Sequence, residues 1–386
     1  MEEALQRALE LLRSYDEELR RELPANVEIF DAHVHLGDDI DGFVGRYDEL
    51  VSTLDRYGVS RAFMFCLDEP DRHPAFRAAN DRTLAHAERS QGRLIPFVRL
   101  DLTEEPLEEA RRVLDLGARG IKLHPRAQRF MLNDERLAPI FALAAERNVP
   151  ILIHGGRGLP PIAEELRRLV DSHPGAQLII AHAGIADLAN LAACFAGKRG
   201  VFFDTSVWSA VDLLDFLHLV PPEQVLYASD YPYGRQPNSV LLALRTARLA
   251  NFSEDEVRNM LAGNANRIAA GELPLEPSEP RGRSTFEQPM VFARIHQYLS
   301  MATPLLWMRQ PDSIGVLGLA LNACEERDGR TQELDAIREL LLTARELWRG
   351  LPESETDPDR VEASRATFRL IHLADILSVT ADATEN

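Results

Sequence analysis

Short apolar runs rich in Val, Ile, Leu and Phe alternate with helix-length amphipathic segments from residue 27 to residue 271. Runs at 27–35, 59–67, 93–100, 118–124, 149–154, 177–182, 200–205 and 224–230 predict eight strands, since short β-rich stretches bounded by turn residues form buried strands. Segments near 46–57, 74–90, 104–117, 134–147, 160–172, 185–196, 209–219, 238–250 and 253–270 predict helices, the last opened by a capping box from Ser253 to Glu256. Strand followed by helix, repeated in this way, predicts an α/β fold, a (β/α)8 TIM barrel over 27–271.

The flanks read differently. In residues 2–23, Leu5, Leu9, Leu12, Tyr15 and Leu19 step by three and four, and Pro24 ends the pattern, so residues 1–26 predict an N-terminal helix placed to cap the barrel. Residues 272–285 hold three prolines and predict a linker. Beyond it, helical periodicity returns at 286–303, 312–326, 332–349 and 359–379, which predicts a C-terminal all-helical extension over 286–386.

The polar residues that close the apolar runs carry the chemistry. His33 and His35 lie two apart in Phe30-Asp31-Ala32-His33-Val34-His35, so they share one strand face, with Ala32 and Val34 on the other. Lys122 and His124 end the fourth run, His154 the fifth, His182 the sixth and Asp230 the eighth. In a (β/α)8 barrel the C-terminal strand ends surround the active site, so these residues are expected to meet there. Imidazole and carboxylate suit a divalent cation of the Zn2+ type, and a catalytic site needs about three protein ligands and an open position.

Composition narrows the classes. The hydrophobic fraction is 45% and the net charge −18, which predicts a soluble globular protein and disfavours nucleic acid and anionic membrane surfaces as partners. No apolar run reaches membrane-spanning length, and Met1-Glu2-Glu3-Ala4-Leu5-Gln6-Arg7 is unlike a signal peptide, so a cytoplasmic location is expected. Cys66, Cys194 and Cys324 are far apart and read as reduced thiols. Only Lys122 and Lys198 are lysines among 43 basic residues, which singles out a lysine at a strand end.

As an ordered set, Phe30-Asp31-Ala32-His33-Val34-His35, Gly120-Ile121-Lys122-Leu123-His124-Pro125, Leu152-Ile153-His154-Gly155-Gly156, Ile180-Ala181-His182-Ala183-Gly184, Ala228-Ser229-Asp230-Tyr231-Pro232 and Gly263-Asn264-Ala265-Asn266-Arg267 resemble the amidohydrolase superfamily, in its amidohydrolase-related branch of metal-dependent hydrolases and decarboxylases. The resemblance implies that His33, His35, His154 and Asp230 hold a divalent metal, for which the imidazole ligands favour Zn2+, and that Asp230 and His182 are catalytic. It implies attack by metal-activated hydroxide on an ester, lactone, lactam or amide carbon. In two-metal relatives a carboxylated fourth-strand lysine bridges the ions, which would recruit Lys122 and His182 to a second metal; the branch favours one ion.

Loop residues His124, Arg126, Gln128, Arg129, Arg157, Trp208, Tyr231, Tyr233 and Arg235 are candidate contacts for a small substrate, and arginine's planar fork suits a carboxylated one. Asp204 is a candidate partner for a ligand histidine or a helix cap, and Asp38, Asp39 and Asp41 read as a solvated turn. Two other readings stand beside hydrolysis: a non-oxidative decarboxylase of the same branch, and a non-catalytic barrel whose extension binds a partner protein. The extension is expected to pack on the barrel or form a homodimer contact rather than act as a lid.

Overall fold

The computed structural model describes residues 2–284, 286–307, 313–326, 331–351 and 358–381. Parts of the expected linker and extension, residues 285, 308–312, 327–330, 352–357 and 382–386, lie outside the described residues. The strands are β1 (Ile29–Asp38), β2 (Val44–Gly45), β3 (Val59–Cys66), β4 (Leu94–Pro96), β5 (Val98–Arg99), β6 (Ile121–Leu123), β7 (Pro150–Ile153), β8 (Gln177–Ile180), β9 (Val201–Asp204) and β10 (Val225–Leu226). All barrel pairings are parallel, running β1-β3-β4 and β5-β6-β7-β8-β9-β10.

β4 and β5 are one barrel strand interrupted at Phe97, whose N–H donates to Met64 O at 2.8 Å. The Phe97 ring lies over Gly120, where a Cβ would come within 2.4 Å of it, so the strand break and that glycine belong together. The circle closes between β10 and β1: Ala32 N donates to Tyr227 O at 2.9 Å, Asp230 N to His33 O at 2.9 Å, and His35 N to Tyr231 O at 2.7 Å. The result is the expected (β/α)8 barrel with an N-terminal helix and a C-terminal helical extension.

Three local features depart from simple periodicity. In β1 the pairing with β3 shifts register between Asp31 and Val34. Phe30 and Ala32 therefore fill the barrel interior with Phe63, Phe97 and Leu152, while Val34 and Leu36 join the outer layer under the helices. His33 and His35 do share a face, but Ala32 and Val34 do not, because the bulge switches which parity points inward. Second, β2 folds back antiparallel on the end of β1, where a Cβ at Gly45 would lie 2.4 Å from His35 O. Third, the last barrel helix is divided by a wide turn, Asn259–Gly263, from which Met260 O accepts Tyr227 N at 2.8 Å. A wide turn frees a carbonyl that a regular helix would use internally. Its start at Ser253 has the expected capping box.

The extension comprises helices Met290–Trp307, Ser313–Ala323, Thr331–Arg349 and Pro358–Thr380, and their apolar faces continue the outer core of the barrel. Residues 272–284 run along the barrel, pinned by Arg199 on Pro274 O and by Gly282 N on His218 O at 2.9 Å. The first helix, Glu2–Glu22, does not cap the barrel. It is wedged between the barrel helix Gln236–Leu249, through Arg245 and Glu22, and the extension, through Arg369 and Asp16 at 2.8 Å. Its small apolar stripe, Ala4, Leu5, Ala8 and Leu12, suits a slot between helices.

Candidate functional site

The strand ends open into a cavity of about 510 Å3 lined by His33, His35, Lys122, His154, His182 and Asp230 among others. Three donor atoms meet at its floor. His33 Nε2 lies 3.1 Å from His35 Nε2 and 3.1 Å from Asp230 Oδ1, and His35 Nε2 lies 3.2 Å from that same oxygen. Bonds of about 2.0–2.1 Å in a tetrahedron impose ligand separations of roughly 3.3 Å, so these atoms are spaced for one small divalent cation. Asp230 is held in a left-handed conformation, φ 59°, by its N–H on His33 O, and the turn is tied to β1 again by Asp31, which accepts from Ser229 N at 2.9 Å and His33 N at 3.2 Å. A non-glycine residue with positive φ at a strand end is local strain of the kind that collects at functional sites.

Asp204, at the end of β9, determines which face of His33 is available. Its Oδ2 lies 2.8 Å from His33 Nδ1, and its Oδ1 accepts from His182 N at 2.8 Å and Ser206 N at 3.0 Å. A carboxylate there keeps the proton on Nδ1 and leaves the Nε2 lone pair turned to the cavity. The following helix, Ala210–Leu219, is capped by Ser209, so capping is not the role of Asp204. Burial, reinforced by neighbouring cationic groups, holds His33, His35, His124 and His154 well below the ordinary histidine range. Burial raises the Asp230 carboxyl well above its usual range, against the pull of Lys122.

His154 stands apart from the donor triad. Its Nδ1 lies 3.0 Å from His182 Nε2, and its ring stacks on His124 with centroids 3.8 Å apart. His182 Nδ1 lies 3.0 Å from Ser206 O, an acceptor only, so the proton of His182 sits on Nδ1 and His154 Nδ1–H donates to Nε2. This leaves the His154 Nε2 lone pair unused, beside Gly156, where a Cβ would approach it to 2.8 Å. Lys122 is fully buried, with Nζ 3.3 Å from His33 Nε2 and 4.6 Å from the Phe65 ring centroid. Burial lowers its pKa to about 7, with Asp230 and Asp204 opposing.

The loop candidates divide into groups. Arg126, Arg129, Arg157, His124 and Tyr233 line the cavity, with Arg157 paired to Asp212 at 2.5 Å and Tyr233 Oη donating to Asp39 Oδ2 at 3.1 Å. His124 is also an anchor of its own loop, accepting Ala127 N on Nδ1 at 3.2 Å. Gln128 holds the loop by bonds to His124 N and Leu100 O. Tyr231 is fully buried and turned away from the cavity, because the turn that presents Asp230 sends the next side chain into the core, where its hydroxyl reaches Arg46 O at 3.5 Å. Trp208 and Arg235 line a neighbouring cavity instead. The acidic turn is structural as well: Asp39 accepts from Asp41 N at 2.8 Å, and Asp38 pairs with Arg46 at 3.2 Å.

Arg99 is a cavity residue outside the sequence motifs. Arg99 ends β5, is 2% exposed, donates to Cys66 O at 3.1 Å and stands 3.9 Å from Asp68 Oδ1. Its Nε has no hydrogen-bond partner among the described residues. The signal was present: Arg99 closes an apolar run, as His154 and His182 do.

A parallel barrel with imidazoles, a lysine and a carboxylate gathered at the C-terminal ends of its strands defines the class of this protein. A family profile described as amidohydrolase matches residues 30–268, and the chain belongs to that family. Among solved structures, a candidate amidohydrolase from Staphylococcus aureus is 17% identical with a TM-score of 0.51, covering 63% of this chain and 99% of its own. A 5-carboxyvanillate decarboxylase from Sphingomonas paucimobilis is 17% identical with a TM-score of 0.49, covering 64% and 99%. A 4-oxalomesaconate hydratase from Rhodopseudomonas palustris is 17% identical with a TM-score of 0.47, covering 63% and 96%. At these identities the likeness concerns the fold. No curated protein sequence matches the chain.

Proposed function

We propose that this protein is a metal-dependent hydrolase acting on an ester, lactone, lactam or amide carbon of a small carboxylated molecule. The observation that carries the reading is the triad of His33 Nε2, His35 Nε2 and Asp230 Oδ1 at 3.1–3.2 Å, with the proton of His33 held on the opposite nitrogen by Asp204. A divalent cation of the Zn2+ type held there, with His154 as a further ligand, would lower the pKa of a water toward about 7 and polarise a carbonyl.

The chain's own groups supply the remainder. Asp230, open to the cavity, takes a proton as the water oxygen bonds to the carbonyl carbon, and returns it to the leaving oxygen or nitrogen as that bond breaks. The products are an acid and an alcohol or amine. His182, backed by Ser206, accepts the His154 Nδ1–H and so keeps the His154 Nε2 lone pair turned to the cavity. Arg99 and Arg126 stand where a substrate carboxylate can be gripped, and Arg126 has no acidic partner among the described residues. A single ion is favoured, because the His154–His182 hydrogen bond engages the His182 nitrogen that a second ion beside Lys122 would require.

The test is a panel of lactones, esters, amides and hydroxybenzoates given to metal-loaded protein, with acid release and carbon dioxide release followed together. Acid release without carbon dioxide supports the proposal. Carbon dioxide without hydrolysis replaces it by decarboxylation, and no turnover of any kind, with a partner protein captured by the extension, replaces it by a binding role.

A further inference from the structure

Beside the donor triad lies a second cavity, of about 450 Å3, between the barrel loops and the helical extension. It lies outside the segment matched by the amidohydrolase profile on one side, since half of its wall comes from Leu306, Trp348 and the helix Pro358–Thr380. Its wall is aromatic: Phe43, Trp208, Trp348 and Phe368 are all half-buried. Trp208 is fixed by a parallel stack on His372, centroids 3.9 Å apart, while His372 Nε2 holds Trp208 O at 3.0 Å. Trp348 meets Phe368 edge to face at 6.2 Å. The rim carries three guanidinium groups on two carboxylates: Arg235 and Arg365 share Glu49 at 2.8 and 3.0 Å, and Arg369 pairs with Asp16 at 2.8 Å.

Tyr233 is a wall of both cavities. One side of its ring meets His35, with centroids 5.7 Å apart and planes near perpendicular, and the ring also packs on Phe43 at 4.6 Å. The Tyr233 ring therefore stands between His35 of the donor triad and Phe43 of the aromatic chamber, so the two cavities adjoin across a single side chain. Half-buried aromatic faces around a cavity favour a flat apolar group through burial and ring stacking, and an excess of arginine on the rim tolerates an acidic molecule while disfavouring a cationic one.

We infer that the chamber between barrel and extension is the second half of the substrate site: it takes the aryl body of an aryl-extended acid whose carboxylate lies in the metal cavity beside Arg99. This rests on the reading of the metal cavity as a carboxylate site. It gives the extension a task, since without Leu306, Trp348 and the helix Pro358–Thr380 the aryl group would meet solvent.

The experiment measures binding, so it stands apart from turnover. Biphenyl-4-carboxylate and benzoate are titrated into zinc-loaded full-length protein, with quenching of tryptophan fluorescence and isothermal titration calorimetry as readouts. Burying one added ring at about 25 cal/mol per Å2 predicts at least tenfold tighter binding of the biphenyl probe. Val361, 39% exposed on the chamber rim, is replaced in V361W, which should bring the two affinities to within about threefold; S364F is the second filling variant, and circular dichroism checks both folds. R99M should weaken both probes to a similar degree.

Equal affinities in the parent, or an advantage that survives both filling variants, overturns the inference. So does biphenyl binding that ignores R99M while benzoate binding responds, since the chamber would then serve a separate ligand. Failure of the catalytic reading shows itself differently, as absent turnover with probe binding intact.

Discussion

Asp204→Asn is the sharpest perturbation of the site, because it keeps the size of a fully buried side chain and changes one hydrogen-bond acceptor into a donor. Oδ1 accepts from His182 N and Ser206 N, two donors that only an oxygen satisfies, so the new amide nitrogen must take the place of Oδ2 against His33 Nδ1. Two N–H groups then face each other at a contact that is now 2.8 Å. His33 escapes by moving its proton to Nε2, the atom that faces Asp230 and His35. Binding a cation must reverse that shift and restore the clash. A hydrogen bond to a charged group is worth about 1.5–3 kcal/mol, and 1.4 kcal/mol is a factor of ten, so metal affinity should fall about ten- to a hundredfold while the fold is kept. Competition against a chromogenic zinc chelator, with circular dichroism alongside, reads both quantities. Affinity within twofold of the parent in a folded D204N protein would refute the orientation of His33 described here.

Four further outcomes follow from the same geometry. Gly156→Ala places a Cβ 2.8 Å from the His154 ring, which must swing off His182, so kcat/KM should drop about tenfold with little change in global stability; steady-state kinetics and urea unfolding separate the two. Arg99→Met should raise KM about a hundredfold for carboxylated substrates and leave neutral esters of the same reacting group near the parent value, because only the former lose a charge-assisted bond. His372, held to about 4 by burial against the ordinary value near 6.5, stays neutral in the folded protein. The unfolded chain binds more protons between those values, so this contribution is complete above pH 6.5 and is lost on acidification toward pH 4, by about 3 kcal/mol in all; urea unfolding at pH 7 and pH 5 should show a larger loss in the parent than in His372→Gln. Ser253→Ala removes a capping box and should cost about 1 kcal/mol in the same assay.

Much of the architecture was legible because its determinants are local. Apolar runs and helix-length segments give eight strand positions, and a strand end in a parallel barrel is where polar residues gather, so His33, His35, His154, His182 and Asp230 could be placed at one rim before any coordinates. What escaped depends on contacts distant in sequence. Phe97 interrupts the third barrel strand because its ring needs the space above Gly120, and the bulge that parts Ala32 from Val34 is visible only against β3. The position of Tyr231 beside Asp230 predicts a cavity residue, yet the left-handed backbone of Asp230 turns it inward. Arg99 does not stand out by residue type because arginine is common in this chain, although it ends an apolar run as the histidines do. The extension could be recognised as helical from its periodicity, but not its shared wall with the site, which exists only once Trp208 and Tyr233 of the barrel meet Trp348 and His372.

The central claim is that His33, His35 and Asp230 grip one cation. The direct measurement is anomalous diffraction at the zinc edge from crystals of zinc-loaded protein, beside metal analysis of the same sample. The account predicts one peak within about 2.0–2.2 Å of His33 Nε2, His35 Nε2 and Asp230 Oδ1 and one equivalent of zinc. A fully loaded sample with its peak elsewhere, or with none at these three atoms, would contradict it.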